Sequence, residues 1–404
     1  MARNATQWLK PQNVPSDHYV STAIYTDAEI FAEEREKIFK KTWKFLCHES
    51  EIDNPGDFRT SEIAGQPVFV MRGADNVVRA FLNACPHRGA ALVTKPSGNA
   101  RTLVCFYHLW GFDQKGNCLN MTRPEGYEPC GVDKSSCGLR AVRIAQKCGL
   151  IFGNLDDDAE DFDSYVGDVM DALDKPMNTV PLEVFHFHKV VIKANWKQWH
   201  ETNMEMYHEW GHAVNRQTGI QAEGYHNRYW KIHANGHGAQ DPYVPKYDNY
   251  EGFDARASLE FPGIRPGEFR VVDLFPNTTV IIRGTSIRID TSTPIAPGLT
   301  LLEHRGVGIK GESQEHRAQR RNHHNQLWGP FGRNLPEDVI FIESMERANR
   351  HGAALFGLLA RRENLQAQDD EVVRGYYRAW SKRMGRSASA PMTRAAAAPE
   401  TQAG

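Results

Sequence analysis

Cys85-Pro86-His87, followed by Cys105-Phe106-Tyr107-His108 after a gap of 17 residues, is the stretch that decides the fold of this 404-residue chain. Each arm offers one thiolate and one imidazole within a single short loop. A 2Fe–2S cluster of the Rieske type binds one iron through two cysteine sulfurs and the other through two histidine nitrogens. The sequence therefore predicts such a cluster, with four ligands: Cys85, His87, Cys105 and His108.

Structural zinc is the other metal that this set of ligands could hold, because two cysteines and two histidines also form a tetrahedral zinc site. Classical zinc fingers place both cysteines in one arm and both histidines in the other, whereas each arm here carries one of each. Pro86 and Gly89 suit a tight loop whose backbone N–H groups point toward bridging sulfides. The pattern favours the iron–sulfur cluster.

The composition is that of an ordinary globular protein, with 24% charged and 40% hydrophobic residues. A formal net charge of −2 gives no electrostatic argument for binding nucleic acid or an anionic membrane. No apolar run approaches the length of about 18 residues that a membrane span needs. The first residues, MARNATQWLK, lack a secretory core, so the expected location is cytoplasmic. Seven scattered cysteines favour reduced thiols and metal ligation over disulfides.

Hydrophobic periodicity predicts an α+β fold. A helix is expected within residues 27–44, capped by Thr26 or Asp27. Short β-like runs follow between residues 67 and 104, with both ligand loops between strands, which indicates a small all-β domain. Beyond residue 160, further elements are expected. Strands are predicted at 185–194, 269–274, 279–283 and 300–308, and helices at 196–209, 313–327, 336–359 and 371–384.

These patterns divide the chain into four expected parts. Residues 1–40 form a helical segment that packs with the catalytic domain, and residues 41–160 form the cluster domain. Residues 161–385 form the larger catalytic domain, and residues 386–404, rich in Ala, Ser and Pro, form a disordered tail.

The residues around the cluster ligands resemble the Rieske domain of aromatic-ring-hydroxylating oxygenase α-subunits. The matching stretches are 81–90 and 105–112. Respiratory-chain Rieske proteins carry an extra disulfide cysteine in the first loop, and this chain has none there, so the oxygenase type is the better match. The resemblance extends over roughly residues 20 to 385. It implies a small all-β Rieske domain followed by a larger catalytic domain with an antiparallel sheet and helices, of the helix-grip kind.

His208 and His212 form the second candidate metal site. On the predicted helix they are four residues apart and lie on one face. Such a pair suits a 2-His-1-carboxylate triad that holds mononuclear Fe(II) and leaves one face open. The same residues satisfy the H-E-x-x-H pattern of zinc peptidases, with Glu209 as general base, although the extended forms of that motif fail after His212. Two ordinary histidines on a helix are the simplest alternative.

The resemblance implies that the carboxylate of the triad is Asp338, in the segment 329–338, with Glu337 as the second candidate. Taken alone, an acidic residue at this place is explained by charge stabilisation at the start of a helix. Family members commonly have four residues between the two histidines, where this chain has three. They also commonly carry an Asp three residues before the first histidine, where this chain has Glu205. The resemblance implies that Glu205 bridges the Rieske histidine of one subunit and the iron histidine of its neighbour. A solvated charge is the alternative.

The resemblance implies the terminal oxygenase component of a multicomponent ring-hydroxylating oxygenase. Electrons from NADH would arrive through a separate reductase, and through a ferredoxin where one is used, because this chain has no flavin or nicotinamide fingerprint. O2 would serve to dihydroxylate or hydroxylate an aromatic substrate. The family forms homotrimers or assemblies that include a small β-subunit. A Rieske electron-transfer protein without catalytic iron is the alternative.

The pattern is closest to branches of the family that act on aromatic acids, and a sulfonate substrate stays open. A basic residue of the pocket is expected to bind the acid group. The sequence does not choose among Arg283, Arg288 and Arg333 for this role.

Overall fold

The computed structural model describes residues 10–11, 13–219, 226–249 and 259–391. It combines helices with sheets in which the paired strands run antiparallel. This confirms the predicted α+β class. Among the described helices, none is both long and apolar enough to cross a lipid bilayer.

A short N-terminal segment precedes the two main sheets. Asp27, one of the two predicted caps, begins its second helix by accepting hydrogen bonds from the backbone N–H groups of Glu29 and Ile30. The elements of this segment are strand β1 (Tyr19–Ser21), helix α1 (Ala23–Thr26), helix α2 (Ala28–Glu34) and the π turn Arg35–Phe39.

The cluster domain is built from strands, as predicted. One sheet has the order β2-β11-β10-β5-β4-β3-β6 and a small one the order β7-β8-β9. The strands are β2 (Lys44–His48), β3 (Asp57–Ile63), β4 (Gln66–Arg72), β5 (Val78–Leu82), β6 (Ser97–Asn99), β7 (Leu103–Val104), β8 (Gly111–Phe112), β9 (Cys118–Asn120), β10 (Ala141–Lys147) and β11 (Leu150–Asn154). The first ligand loop follows β5 and the second connects β7 to β8, so each lies between strands. A buried apolar cluster that includes Phe69, Phe81 and Phe112 fills the space beside them.

The catalytic domain is organised around a second antiparallel sheet, with the order β12-β18-β17-β16-β15-β14-β13. Its strands are β12 (Leu182–Ile192), β13 (Trp230–Ile232), β14 (Gly238–Gln240), β15 (Phe269–Leu274), β16 (Thr278–Arg283), β17 (Ser286–Ala296) and β18 (Leu299–Ile309). The sequence predicted β12, β15, β16 and β18 but not β17. In β17 every residue from Ser286 to Ser292 is buried, Arg288 and Asp290 included. Some buried positions of β17 are therefore polar, so the strand lacks the alternation of apolar and polar residues by which a half-buried strand is predicted.

Helices cover this sheet and bring the iron-site residues to it. They are α3 (Phe162–Val166), α4 (Asp171–Asn178), α5 (Trp196–Met204), α6 (Ala213–Gln217), α7 (Gln314–Trp328), α8 (Leu335–Arg350) and α9 (Glu371–Met384). Two predicted helix ends were wrong. The helix predicted to run to residue 209 ends at Met204, where Glu205 adopts an extended conformation. The helix predicted to run to residue 359 ends at Arg350, because Gly352 turns the chain with a positive φ of 68°.

The two ends of the described chain meet. Strand β19 (Phe356–Leu358) pairs with β1. Residues 386–391, the described part of the predicted tail, follow α9, and the carbonyl of Ala388 accepts a hydrogen bond of 2.9 Å from the N–H of Ser21. Residues 392–404 lie outside the described residues.

Glu34 fixes the N-terminal segment to the catalytic domain. Its carboxylate is completely buried and receives three hydrogen bonds, from Lys197 Nζ at 2.6 Å, Trp196 Nε1 at 2.8 Å and Trp380 Nε1 at 2.7 Å. A buried carboxylate is tolerated only when it is paired and hydrogen-bonded in this way. The contact therefore joins α2, α5 and α9 at one point.

Candidate metal centres and substrate pocket

The two predicted cluster loops have the same backbone hydrogen bonds. In each, the N–H of the cysteine donates to the carbonyl five residues later, and its own carbonyl accepts from the N–H four residues later. The four bonds are Cys85–Ala90 and Gly89–Cys85, both 2.8 Å, and Cys105–Trp110 and Leu109–Cys105, both 2.9 Å. The fourth residue has a positive φ in both loops, 76° at Gly89 and 59° at Leu109. The two cysteines thus begin equivalent turns, and the histidine follows two residues after Cys85 and three residues after Cys105.

The two loops bring their predicted ligands together, with His87 beside His108 and Cys85 beside Cys105. The rings of His87 and His108 are 4.5 Å apart, and Nδ1 of each is buried without a hydrogen-bond partner in the described part of the chain. Both cysteines are buried, and burial raises the pKa of the Cys85 thiol. Buried polar atoms of this kind are costly unless something binds them. The four residues fit a Rieske cluster that binds through two Nδ1 atoms and two thiolates.

Neighbouring aromatic side chains orient the imidazole of His87. Trp110 stacks on His87 at 4.9 Å between centroids, and the Tyr127 hydroxyl lies 3.1 Å from His87 Nε2. On the outer side, three apolar side chains are more than half exposed. This group, which we name the cluster rim, consists of Phe106, Tyr107 and Leu109, with exposed fractions of 67%, 54% and 59%.

The second site is formed by a helix end and not by a continuous helix. His208 and His212 were expected on one face of an α-helix, and this was wrong. Helix α5 stops at Met204, His208 lies in a 3-10 turn (Tyr207–Gly211), and His212 follows that turn in an extended conformation. Because a 3-10 turn has three residues per turn instead of 3.6, it rotates the second histidine differently from a helix. It still brings the two rings to 5.4 Å.

Asp338 completes the site from the first turn of α8. Its Oδ1 lies 3.4 Å from His208 Nε2 and 3.1 Å from His212 Nε2, and it has no hydrogen-bond partner among the described residues. One possible ligand atom of each residue lies within 4.8 Å of the other two. Burial raises the pKa of Asp338, but the two histidines outweigh it and hold the pKa at about 2. Two imidazoles and one ionised carboxylate are the donor set of a mononuclear Fe(II) triad.

Two further carboxylates contact the Nδ1 atoms of these histidines, which face away from Asp338. Glu337 accepts from His212 Nδ1 at 2.7 Å, so the structure places it behind the histidine instead of in the donor set. His208 Nδ1 lies 2.6 Å from the backbone carbonyl of Glu205 and 3.2 Å from its carboxylate. Such partners fix the tautomer and the orientation of a ligating imidazole. Both acidic residues could be singled out from sequence, but the contact of Glu337 with His212 could not.

A pocket opens on the inner side of this triad. Its empty volume, the open mouth included, is about 680 Å³. Aromatic side chains form part of its wall, and basic side chains form another part. The aromatic residues are Tyr243, Tyr247, Phe269 and Trp328, and the basic ones are Arg228, Arg283 and Arg288.

The three arginines have different surroundings. Arg228 donates to Glu209 at 2.5 Å, and Arg288 pairs with Asp290 at the same distance. Arg283 donates to the Tyr247 hydroxyl at 3.0 Å. Of the three arginines proposed from sequence, Arg283 and Arg288 line the pocket and Arg333 does not. Arg228 could not be predicted for this pocket from sequence, because only the tertiary fold brings it to this wall.

Comparison with known proteins agrees with both sites. Residues 42–132 match the Rieske [2Fe-2S] domain, and residues 178–385 match the catalytic domain of ring-hydroxylating α-subunits. The chain is 43% identical to the α-subunit of 2-aminobenzenesulfonate 2,3-dioxygenase from Alcaligenes sp, over 96% of this chain and 99% of that protein. It is 42% identical to the hydroxylase α-subunit of methanesulfonate monooxygenase from Methylosulfonomonas methylovora, over 96% and 97% of the two chains.

Solved structures share the fold. Naphthalene 1,2-dioxygenase with indole in its active site superposes with a TM-score of 0.79 at 24% identity, over 95% of this chain and 97% of that one. A quaternary ammonium Rieske monooxygenase superposes with a TM-score of 0.75 at 21% identity, over 93% and 100%.

The fold and the two donor sets define a Rieske non-haem iron oxygenase. The chain belongs to the family of ring-hydroxylating oxygenase α-subunits. It is a terminal oxygenase component, with a Rieske 2Fe–2S cluster and a mononuclear iron as cofactors, and it works with a reductase or ferredoxin in an oligomeric assembly. These findings confirm the predicted family, fold and cofactors. They do not favour an isolated electron carrier or a zinc peptidase.

Proposed function

We propose that this oxygenase acts on an aromatic sulfonate. The observation that carries the proposal is the pocket wall, where arginine and aromatic side chains lie side by side next to the triad. A guanidinium binds an oxyanion through charge-assisted hydrogen bonds, and an aromatic wall suits the face of a ring. The two relatives above, which are named for sulfonate substrates, support the same class.

Arg283 is the residue that we assign to the sulfonate. Its guanidinium hydrogen-bonds the hydroxyl of Tyr247 and lies 5.8 Å from the centre of the Phe269 ring. All three side chains line the same pocket. A sulfonate bound here would receive a donor from each of the two polar groups, with the ring held beside Phe269. This arrangement positions the substrate with respect to His208, His212 and Asp338.

Different residues of the chain serve the cluster, the iron and the substrate. Cys85, His87, Cys105 and His108 would hold the cluster, and His208, His212 and Asp338 would hold the iron. When bound, these groups supply one-electron transfer and the activation of O2 for insertion into the substrate. The protein binds and orients the ring, and Glu205 and Glu337 keep the two iron histidines in place.

Glu205 is also the proposed link between subunits. Its carboxylate is partly exposed while it contacts His208 Nδ1. Within one chain, the Tyr127 hydroxyl already contacts His87 Nε2. His108 is therefore the Rieske histidine that we assign to the Glu205 carboxylate of a neighbouring subunit. The exposed cluster rim beside His108 gives that neighbour an apolar surface to contact.

The proposed contact between Glu205 and His108 of neighbouring subunits implies how the subunits assemble. A homotrimer, alone or with a small β-subunit, would place the cluster of each chain against the iron of the next. The proposed units are residues 1–40, 41–160 and 161–385. The matches at 42–132 and 178–385 fall inside the second and third of them.

Oxygen uptake tests the substrate class. The purified oxygenase, reconstituted with its reductase and NADH, is offered benzenesulfonate, 2-aminobenzenesulfonate, methanesulfonate, benzoate and anthranilate. We expect O2 uptake coupled to a hydroxylated product with an aryl sulfonate. Coupled turnover with the carboxylates alone, or with methanesulfonate alone, contradicts the proposal.

Variants of the arginines test the anchor. We expect Arg283→Leu to raise KM for the sulfonate by about tenfold to a hundredfold, since a hydrogen bond to a charged group is worth about 1.5–3 kcal/mol. The matched control is Arg333→Leu, an exposed arginine outside the pocket, which should leave KM unchanged. Equal effects of the two variants would refute the assignment.

A further inference from the structure

A second group of histidines lies outside both iron centres, on the edge strand of the catalytic sheet. His186 and His188 alternate along β12, so their side chains point to the same face. His324 of α7 packs against them, with its ring 5.3 Å from that of His186 and 6.5 Å from that of His188. One possible ligand atom of each lies within 4.8 Å of the other two.

Their ring nitrogens are arranged as in a metal site. His186 Nε2 and His188 Nδ1 are 3.3 Å apart and share a hydrogen bond, which a bound metal ion would replace. Two nitrogens at a tetrahedral zinc ion, with bonds of about 2.0–2.1 Å, would lie about 3.4 Å apart. His324 is completely buried, and its Nδ1 lies 3.2 Å from the Ser286 hydroxyl while its Nε2 has no partner in the described part of the chain. A ligating histidine is commonly held through its other nitrogen in this manner.

A metal binds the neutral form of imidazole, and burial shifts the pKa of each of the three histidines in the direction that favours this form. Burial, together with the nearby His304 and His186, lowers the pKa of His188 to about 3. Burial also lowers the pKa of His324 and that of His186. Three imidazole rings therefore meet at a place that the iron chemistry does not use, and Nε2 of His188 and of His324 have no partner among the described residues.

We propose that His186, His188 and His324 form a zinc site. Imidazole is a preferred ligand of Zn²⁺, and three histidines with one position left for water are a known zinc arrangement. Water has access to that position, because His186 and His188 are only partly buried. The donor set contains no carboxylate, unlike the iron triad, so the two sites differ in the metal that they favour.

The site is coupled to the substrate pocket through a short chain of contacts. The ring of His304 stacks on His188 at 4.8 Å, and its Nδ1 lies 2.5 Å from Asp290. The other oxygen of Asp290 lies 2.5 Å from Arg288, which lines the pocket. A zinc ion at the three histidines would thus fix the ring of His188. The ring of His304, which is paired with Asp290, stacks on it. The role of the zinc ion would be to position Arg288, with no part in electron transfer.

Zinc uptake by the intact enzyme tests the site. The assembled oxygenase, with its iron centres in place, is equilibrated with Zn²⁺, freed of loosely bound metal and analysed for zinc and iron. We expect about one zinc per chain in addition to the iron. His188→Gln and His324→Gln each remove a ligand, so they should weaken zinc binding by more than the roughly tenfold to hundredfold that losing an outer hydrogen-bond partner of a ligand costs.

His316→Gln is the matched control. It removes a histidine that lies two turns earlier on α7 and does not belong to the proposed zinc site. It should bind zinc as the wild type does. Rieske absorption and the thermal midpoint report whether each variant is folded, and partly exposed His188 provides a variant that disturbs the core less than His324 does. No zinc uptake by the wild type overturns the proposal. The proposal is also overturned if zinc is lost with His208→Ala but kept with His324→Gln. Iron instead of zinc at His186, His188 and His324 overturns it as well.

Discussion

Asp338 and Glu337 are adjacent carboxylates with different partners. Asp338 faces the Nε2 atoms of both iron-site histidines, whereas Glu337 accepts from Nδ1 of His212. We predict that Asp338→Ala lowers the iron content from about three to about two per chain and abolishes oxygenation, because only the 2Fe–2S cluster remains. The visible Rieske absorption should persist. Metal analysis with the absorption spectrum measures both quantities.

Glu337→Gln is the matched control for this experiment. Its amide oxygen can still accept a hydrogen bond from His212 Nδ1, so the iron content should stay near that of the wild type. If Glu337→Gln lost the third iron and Asp338→Ala kept it, the two assignments would have to be exchanged.

Substitutions of Glu205 test whether electrons pass from the cluster to the iron through this residue. We predict that Glu205→Ala keeps the cluster and the iron but slows reoxidation of the reduced cluster, in the presence of substrate and O2, by about tenfold to a hundredfold. The reason is the loss of the carboxylate beside His208 Nδ1. Stopped-flow absorption of the Rieske cluster follows the step. Glu205→Asp keeps the charge and should restore most of the rate, and an unaffected Glu205→Ala would remove the residue from the path.

Single residues differed in how far the sequence could locate them. The cluster ligands could be predicted, because each cysteine and its histidine share one short loop whose spacing is visible in the chain. Asp338 depended on the family resemblance, since an acidic residue in the first turn of a helix is common. Arg228 could not be found, because only the tertiary fold brings it to a pocket that also contains Arg283.

Among the elements, α2 has the contact that is easiest to test. We predict that Glu34→Gln lowers the free energy of unfolding of the catalytic domain by about 3 kcal/mol, because the buried ammonium of Lys197 loses its counter-charge. Calorimetry measures the change. The double variant Glu34→Gln/Lys197→Met should be more stable than the single variant, since it leaves no unpaired charge. A single variant as stable as the wild type would contradict this account.

Helix and strand patterns were informative where one face of an element is apolar. Helix α9 could be predicted over residues 371–384, and strand β15 over residues 269–274. The end of α5 could not, because no glycine or proline marks the break at Glu205 and the site itself requires it. Strand β17 was missed because its buried residues include the ion pair of Arg288 and Asp290.

At the scale of the whole molecule, electron transfer between subunits predicts complementation of two inactive chains. Cys85→Ser removes a cluster ligand and Asp338→Ala removes an iron ligand, so neither variant alone should turn over. Co-expression in one cell should restore about a quarter of the wild-type activity, because in a cyclic trimer about one interface in four joins an intact cluster to an intact iron. Activity of the mixed, purified assembly is the measurement. Transfer confined to one chain predicts none.

The buried carboxylate of Glu34 also bears on the order in which the protein folds. One of its three donors, Trp380, is 346 residues away along the chain, and β1 pairs with β19 over a similar distance. Contacts this remote cannot form until nearly all of the polypeptide has left the ribosome. Helix α5, which leads into the histidines at its end, is held by that same carboxylate. We therefore expect the cluster domain to mature while synthesis continues, and the mononuclear iron to be inserted only after translation is complete.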